Sequence, residues 1–161
     1  MRRGLLLLAL APGCSLVLDF SDKAIPKDAA IDGPYTADEC AYKEPNDTPN
    51  TAQMITTADT GPAAICMSDP ADFYKFSIAG ASKVTVSISF IKRTGGDLDL
   101  EVDDTTGNTL ASSRGVGSGE SITCPGQVPA CPSLADGDYL MRVFPGVTGD
   151  VNAYTFSLQI Q

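Results

Sequence analysis

Apolar and polar residues alternate one by one in several short segments of this chain, and a period of two residues predicts β-strands. The clearest segment is Lys83–Phe90, in which four apolar side chains alternate with four polar ones. Further strands are predicted at Phe73–Ile78, Asp97–Asp103, Thr109–Ser113, Ser121–Cys124, Tyr139–Val143 and Tyr154–Ile160. Because these short strands recur at roughly 8–15-residue intervals and no segment has a helical period, we predict an all-β, antiparallel β-sandwich of seven to eight strands.

The charge and the missing residue types exclude several functions. The chain of 161 residues has a formal net charge of −9 and no histidine. The acidic balance argues against a nucleic-acid partner, and without histidine a histidine-based catalytic triad or metal site cannot form. The glycine-rich stretch Gly115–Gly119 fits neither a nucleophile elbow nor a phosphate loop. A Ser/Lys dyad stays open as an alternative, but the lysines are few and none lies in a suggestive motif. We expect that the protein is not an enzyme, and we also expect it to be a monomer.

Four acidic residues alternate with apolar ones in the predicted strand Asp97–Asp103, namely Asp97, Asp99, Glu101 and Asp103. Paired carboxylates are the catalytic groups of glycoside hydrolases. However, successive positions on one face of a strand are ~6.6–6.8 Å apart, and alternation of this kind is typical of a sheet face in water. We interpret these residues as a solvated outer face.

The N-terminus has the pattern of an export signal. A basic start, Met1-Arg2-Arg3, precedes a short apolar run, Gly4–Ala11, which is far too short to span a bilayer. The run ends in Gly13-Cys14 and resembles a bacterial lipoprotein signal, in which the cysteine is acylated. We predict a signal peptide over residues 1–13, a lipid anchor and extended tether over 14–38, and a globular domain over 39–161. In the enterobacterial sorting pattern, an aspartate after the cysteine holds a lipoprotein at the inner membrane. The residue here is Ser15, which favours the outer membrane. The alternative is a plain secretory peptide followed by a free thiol.

Six short motifs occur in a fixed order through the globular part. They are Glu44-Pro45-Asn46-Asp47, the acidic turn with Asp69, Asp72, Tyr74 and Phe76, Val84-Thr85-Val86, Asp97-Leu98-Asp99-Leu100, Gly137-Asp138-Tyr139, and Tyr154-Thr155-Phe156. In this order they resemble the bacterial pre-peptidase C-terminal domain over about residues 39–161. The resemblance implies a jelly-roll-like β-sandwich of the kind appended to secreted peptidases, some members of which hold calcium near the N-terminal linker.

The cysteine count fits export to an oxidising compartment. If Cys14 is acylated, four cysteines remain, an even number that allows three disulfide pairings. We favour Cys40–Cys66, which would join the incoming linker to the edge of the central strand, together with Cys124–Cys131, which would close a proline-containing loop. A four-cysteine zinc site is the weaker alternative, because the sequence has no C-x-x-C pair.

Two short acidic segments supply oxygen ligands of the kind that Ca²⁺ prefers. The first contains Glu44, Asn46 and Asp47, and the second contains Asp69 and Asp72. A Cys40–Cys66 disulfide would bring the two segments together, and the family resemblance implies the same positions. We predict a calcium site at these five residues. The alternative is that Asn46 and Asp47 cap a turn and that Asp72 is a polar residue at the start of a strand.

Two classes of function remain open. One is a binding or accessory module that contacts an extracellular protein or polysaccharide from the cell envelope. The other is a structural envelope lipoprotein without a dedicated ligand, or a remnant accessory domain of a secreted peptidase system. An exposed aromatic platform would favour the first class, and the candidates for it are Tyr35, Phe73 and Phe144.

Overall fold

A computed structural model describes residues 35–67, 69–80 and 83–161. The predicted signal peptide, the acylation site at Cys14 and most of the predicted tether lie outside the described residues. No helix in the described ranges combines the length and the apolar character needed to cross a membrane.

The described chain is built from short strands. They are β1 (Gln53–Met54), β2 (Ala63–Ile65), β3 (Asp72–Ile78), β4 (Val84–Phe90), β5 (Leu98–Asp104), β6 (Thr109–Ser113), β7 (Gly119–Cys124), β8 (Gly126–Gln127), β9 (Ala130–Cys131), β10 (Gly137–Pro145) and β11 (Asn152–Ile160). All seven strands predicted from alternation are present, with ends shifted by a few residues at most.

Nine of these strands form two facing sheets. The first has the order β1-β3-β10-β5-β6 and the second the order β2-β11-β4-β7, while β8 and β9 form a small separate hairpin. The pairs within both sheets are antiparallel apart from the parallel β1–β3 pair at an edge. The predicted all-β antiparallel sandwich is therefore confirmed.

Two short helical segments precede the sheets. Helix α1 (Ala37–Cys40) begins with a capping box, in which the Thr36 hydroxyl accepts from the Glu39 N–H and the Glu39 carboxylate accepts from the Thr36 N–H. A 3-10 helix follows at Pro49–Thr51. Helix α1 crosses the boundary at residue 39 that we predicted between the tether and the domain.

The main core lies between the sheets and consists of the apolar half of each alternating strand. From β3 it takes Tyr74, Phe76 and Ile78. Phe73 points to the other face of β3, where it packs with Leu140, Phe144 and Ala71 in a small second cluster. The outer face of the five-stranded sheet is therefore partly covered by its own side chains.

The interpretation of the acidic strand as a solvated face is wrong. Asp99, Glu101 and Asp103 are all at most 4% exposed, although they do lie on the side opposite to the core. Strand β5 is flanked by β6 and β10, and two arginines lie across it. The Glu101 carboxylate accepts from Arg114 Nη2 at 2.5 Å and from Arg142 Nη1 at 3.0 Å.

Both predicted disulfides are formed. Cys40 is bonded to Cys66, with a Cα–Cα distance of 6.0 Å, and Cys124 is bonded to Cys131, with a Cα–Cα distance of 5.0 Å. The first joins helix α1 to the end of β2, and the second joins β7 to β9. The linker is thus attached covalently beside the start of β3.

Four loops connect the two sheets at one end of the sandwich. They precede β3, β5, β7 and β11 and comprise residues 66–71, 91–97, 114–118 and 146–151. We call this end, with these four loops, the loop end. The β8–β9 hairpin and the start of β4 lie at the opposite end, since Val84 pairs with Cys124 there.

Candidate metal centre

The segment Glu44–Asp47 is held against the first residues of β3. The Phe73 N–H donates to the Asn46 carbonyl at 2.8 Å, which adds this segment to the edge of the sheet. The Cys40–Cys66 disulfide fixes the chain four residues before Glu44 to the chain three residues before Asp69. Both predicted acidic segments therefore meet at the loop end.

Three carboxylates form the open part of this cluster. One oxygen from each of Glu44, Asp47 and Asp69 lies within 4.8 Å of the other two, and all three residues are partly exposed. Because Ca²⁺ binds oxygens at ~2.3–2.6 Å, two ligands on opposite sides of one ion are at most ~5 Å apart. These separations fit a single calcium ion.

The fully buried Asn46 lies beneath the three carboxylates. In its hydrogen-bonded orientation the amide nitrogen donates to Glu44 Oε1 at 3.1 Å and to Asp72 Oδ1 at 3.2 Å. The Asn46 N–H also donates to Glu44 Oε2 at 2.8 Å. A half-turn of the amide about its last torsion would place the oxygen at this position instead. Asn46 can therefore serve the cluster either as a donor or as a further oxygen ligand.

Asp72 is also buried, only 1% exposed. Its Oδ2 accepts from the hydroxyl groups of Tyr154 and Tyr74, which are themselves 2.8 Å apart, while Oδ1 faces Asn46. Asp72 thus lies behind the three exposed carboxylates, and its position is fixed by the two tyrosines. All five predicted residues are brought together, with Asp72 and Asn46 forming the floor.

Burial, with a smaller contribution from neighbouring carboxylates, raises the proton affinity of Glu44, Asp69 and Asp72. Burial raises the pKa of Asp69 to about 7, with further contributions from a hydrogen bond to Asp47 and from the charge of Glu44. Burial is also the largest cause that raises the pKa of Asp72 well above its usual value and the pKa of Glu44. The ion pairs within the described ranges use other carboxylates. A divalent cation would supply the missing positive charge.

Tyr74 and Tyr154 belong to this site, but the sequence analysis identified them only as strand and motif residues. Both occupy inward positions of an alternating strand, where phenylalanine or leucine would serve packing equally well. The available signal was the hydroxyl group, because a buried tyrosine hydroxyl requires a hydrogen-bond partner. Here that partner is the Asp72 carboxylate.

A groove of about 610 Å³ adjoins the carboxylates. One wall is the turn before β3, with Met67, Asp69 and Pro70, and the other wall is the loop before β11. Arg142 and Phe144 form part of its lining between the two walls. Asp69 therefore faces both the carboxylate cluster and the groove.

Two of the three candidate residues for an aromatic platform, Phe73 and Phe144, are not available for stacking. Phe73 and Phe144 are each 8% exposed, and the guanidinium of Arg142 lies over both rings, at 5.5 and 4.5 Å from their centroids. Arg114 also covers Phe144, at 4.9 Å. The Tyr35 hydroxyl accepts a hydrogen bond from the Met67 N–H at 3.3 Å.

Comparison with known proteins points to one family. Residues 70–145 match the family model of the bacterial pre-peptidase C-terminal domain. No curated protein matches the chain. Among solved structures, the chain is similar to the pre-peptidase C-terminal domain of a collagenase from Bacillus anthracis, with 18% identity, a TM-score of 0.51, and coverage of 67% of this chain and 94% of that one.

A second solved structure is PliG of Aeromonas hydrophila, a periplasmic inhibitor of g-type lysozyme. The similarity to PliG extends over 68% of this chain and 96% of the PliG chain, with 13% identity and a TM-score of 0.38. The family match starts at Pro70, so that four of the five predicted calcium ligands precede it. Residues 70–145 thus match the bacterial pre-peptidase C-terminal domain, and the β-sandwich that contains them has the fold of that domain.

Proposed function

We propose that residues 39–161 form one pre-peptidase C-terminal-like domain that acts as a non-catalytic binding or accessory module, stabilised by calcium. The observation that carries this proposal is the convergence of Glu44, Asn46, Asp47, Asp69 and Asp72 at the loop end. The set consists of oxygen ligands only, as Ca²⁺ prefers, and the disulfide next to it pre-orders the two segments. An ion there would join the linker to the start of β3.

We further propose that the module binds an extracellular protein segment. The groove beside Asp69 has the size of a small-ligand or peptide site, and Met67, Pro70, Phe144 and Pro145 give it a largely apolar lining. Polysaccharide recognition is less well supported, because two of the three candidate aromatic rings, Phe73 and Phe144, are covered by Arg142. The acidic side chains at the rim favour a partner that carries positive charge.

The expected result is that the mature protein binds an immobilised extracellular protein, with denatured collagen and collagen as first probes, more tightly than it binds polysaccharides. Met67→Asp, at an exposed position of the groove wall, should weaken that binding about tenfold by placing a charge in an apolar contact. Val128→Asp, in the hairpin at the opposite end, should leave it unchanged. If neither protein nor polysaccharide is bound, the structural role becomes the better explanation.

We propose an envelope location for the module, anchored through acylated Cys14 in the outer membrane. This rests on the sequence Gly4–Cys14 and on the two disulfides, which require an oxidising compartment. Mass spectrometry of protein extracted from membranes should show an N-terminal peptide that starts at residue 14 and carries acyl chains. An unmodified thiol at residue 14, or cleavage at another bond, would exclude the anchor.

A further inference from the structure

The four loops at the loop end lie side by side in one row. In the first sheet they connect to the consecutive strands β3, β10, β5 and β6, and in the second sheet they connect in the same order to β2, β11, β4 and β7. The row therefore runs from 66–71 through 146–151 and 91–97 to 114–118. The Val151 N–H donates to the Gly95 carbonyl at 3.0 Å, which joins the two middle loops.

Each loop of the row exposes one large aliphatic side chain. In the order of the row these residues are Met67, Val147, Ile91 and Val116, and they are 68–79% exposed. Across the described ranges only two further large apolar side chains are exposed, Met54 and Val128. Single exposed apolar residues are common on protein surfaces, but one on each of four neighbouring loops is typical of an interaction surface.

The first half of the row is acidic. Asp150 belongs to the second loop, and the Asp97 carboxylate lies against the same loop, since a β-carbon at Gly146 would be 2.9 Å from Asp97 Oδ2. The three carboxylates of Glu44, Asp47 and Asp69 lie beside the first loop. Even with a divalent ion bound, these three would keep a net negative charge. The acidic character of this half therefore does not depend on the calcium site.

The second half of the row is basic. Lys92 and Arg93 are exposed on the third loop, and the Lys92 ammonium donates to the Val116 carbonyl on the fourth loop, away from the acidic half. Arg114 is also exposed, but it is paired with Glu101. The ion pairs of the described residues include none of Lys92, Arg93, Asp97 and Asp150. The loop end thus has unpaired charges of opposite sign in its two halves, with no excess of positive charge.

A surface with this arrangement is complementary to a copy of itself. A half-turn about an axis across the middle of the row places the first loop of one copy against the fourth loop of the other, and the second loop against the third. Each acidic half then meets a basic half, and the exposed aliphatic side chains of the two copies meet between them. From these observations we infer that the loop end binds a second copy of this chain and forms a two-fold symmetric dimer.

The dimer replaces our sequence-based expectation of a monomer and goes beyond the proposed function. Met67, Thr148 and Gly149 belong to the row and also line the groove beside Asp69. A second copy would therefore cover part of the groove and would compete with a protein segment bound there. Dimer formation itself requires neither such a segment nor a lipid anchor.

Sedimentation equilibrium of the mature chain tests the inference. The protein carries Cys14→Ser, so that neither an acyl chain nor a free thiol can join two molecules. We expect a reversible dimer with a dissociation constant in the micromolar range. The dissociation constant should increase when NaCl is raised from about 50 to about 500 mM, because salt screens the paired charges. Ile91→Ser with Val116→Ser should increase it at least about tenfold by removing apolar contacts.

Two charge-reversal variants test the proposed pairing of the halves. Lys92→Glu with Arg93→Glu makes both halves acidic, whereas Thr148→Lys with Asp150→Lys makes the second loop basic and leaves Asp97 in its contact with Gly146. Each variant alone should have a dissociation constant at least about 100-fold higher than that of the parent, because like charges then face each other. An equimolar mixture of the two variants should form a heterodimer, since opposite charges are restored at both contacts.

The matched control is Lys83→Glu with Val128→Ser, which makes the same kinds of change at the opposite end of the sandwich. It should dimerise as the parent protein does. Circular dichroism and thermal unfolding show whether each variant is folded. A parent protein that stays monomeric at every concentration, a dimer that either charge-reversal variant retains, or a mixture that stays monomeric would overturn the inference. The calcium and groove experiments would be unaffected by any of these results.

Discussion

Calcium at 10 mM is expected to raise the thermal unfolding midpoint of the mature protein by several degrees relative to the protein in chelator. A ligand that binds only the folded state stabilises it by RT ln(1 + [L]/Kd). For a dissociation constant of ~0.1 mM, within the range of extracellular calcium modules, this is about 2.7 kcal/mol. The shift should grow with calcium concentration, as scanning calorimetry or fluorescence would show.

The reason for so large an effect is the charge balance of the cluster. Without an ion, three carboxylates share a small space, and Asp69 and Glu44 have raised pKa values because ionisation there is opposed by burial and by neighbouring negative charge. A divalent cation turns this repulsion into attraction. Magnesium should give a smaller shift, since it requires a tighter octahedral set of ligands.

Two variants separate the site from a general salt effect. Glu44→Gln together with Asp69→Asn removes two of the three exposed carboxylates and should abolish the calcium-induced shift. Asp138→Asn removes a carboxylate that pairs with Lys75 on an exposed part of the sheet and should leave the shift intact. Identical midpoints of the parent protein in calcium and in chelator would contradict the calcium site.

The alternation of side chains was sufficient to predict the strands, because one face of each strand packs on a single core. In Val84–Phe90 every second residue is buried between the sheets, as the pattern requires. The pattern carries no information on strand order. Nothing in the sequence places β10 between β3 and β5, although the strand itself was predicted.

The acidic strand was wrongly interpreted as a solvated face because the sequence does not show which strands lie beside it. Alternation correctly assigned Glu101 to the face opposite the core, but the exposure of that face depends on the neighbouring strands. Arg142 comes from β10 and Arg114 from the end of β6, and each reaches across to Glu101. A buried carboxylate between two arginines is stable only as a complete set, since loss of one partner leaves an unpaired charge. The sequence showed the charges but not the pairing.

The convergence of the five polar residues was predictable to a larger extent because it depends on local segments and one covalent link. The acidic turn before β3 and the Glu44–Asp47 segment could be recognised in the sequence, and the pairing of Cys40 with Cys66 brought them together. The two tyrosines beneath Asp72 come from different sheets and are 80 residues apart. Their contact could only be seen in the folded structure.

Replacing Cys40 and Cys66 together by serine is expected to lower the free energy of unfolding by about 3.5 kcal/mol and to remove most of the calcium-induced shift. The loss of stability follows from the chain entropy of a loop of 26 residues, which the disulfide closes in the unfolded state. The loss of the calcium response follows from the geometry, because this bond holds the segment with Glu44 against the turn with Asp69. Urea unfolding in calcium and in chelator measures both quantities.

The second disulfide provides the matched control for this experiment. Replacing Cys124 and Cys131 by serine opens a loop of only 7 residues and should cost about 2.4 kcal/mol on the same chain-entropy model. That bond lies at the opposite end of the sandwich, so the calcium-induced shift should remain. A calcium response that survives the loss of Cys40–Cys66, or one that disappears equally in both variants, would show that the disulfide does not position the site. The difference between the two variants therefore separates the general stabilisation by a disulfide from the specific ordering of the carboxylates.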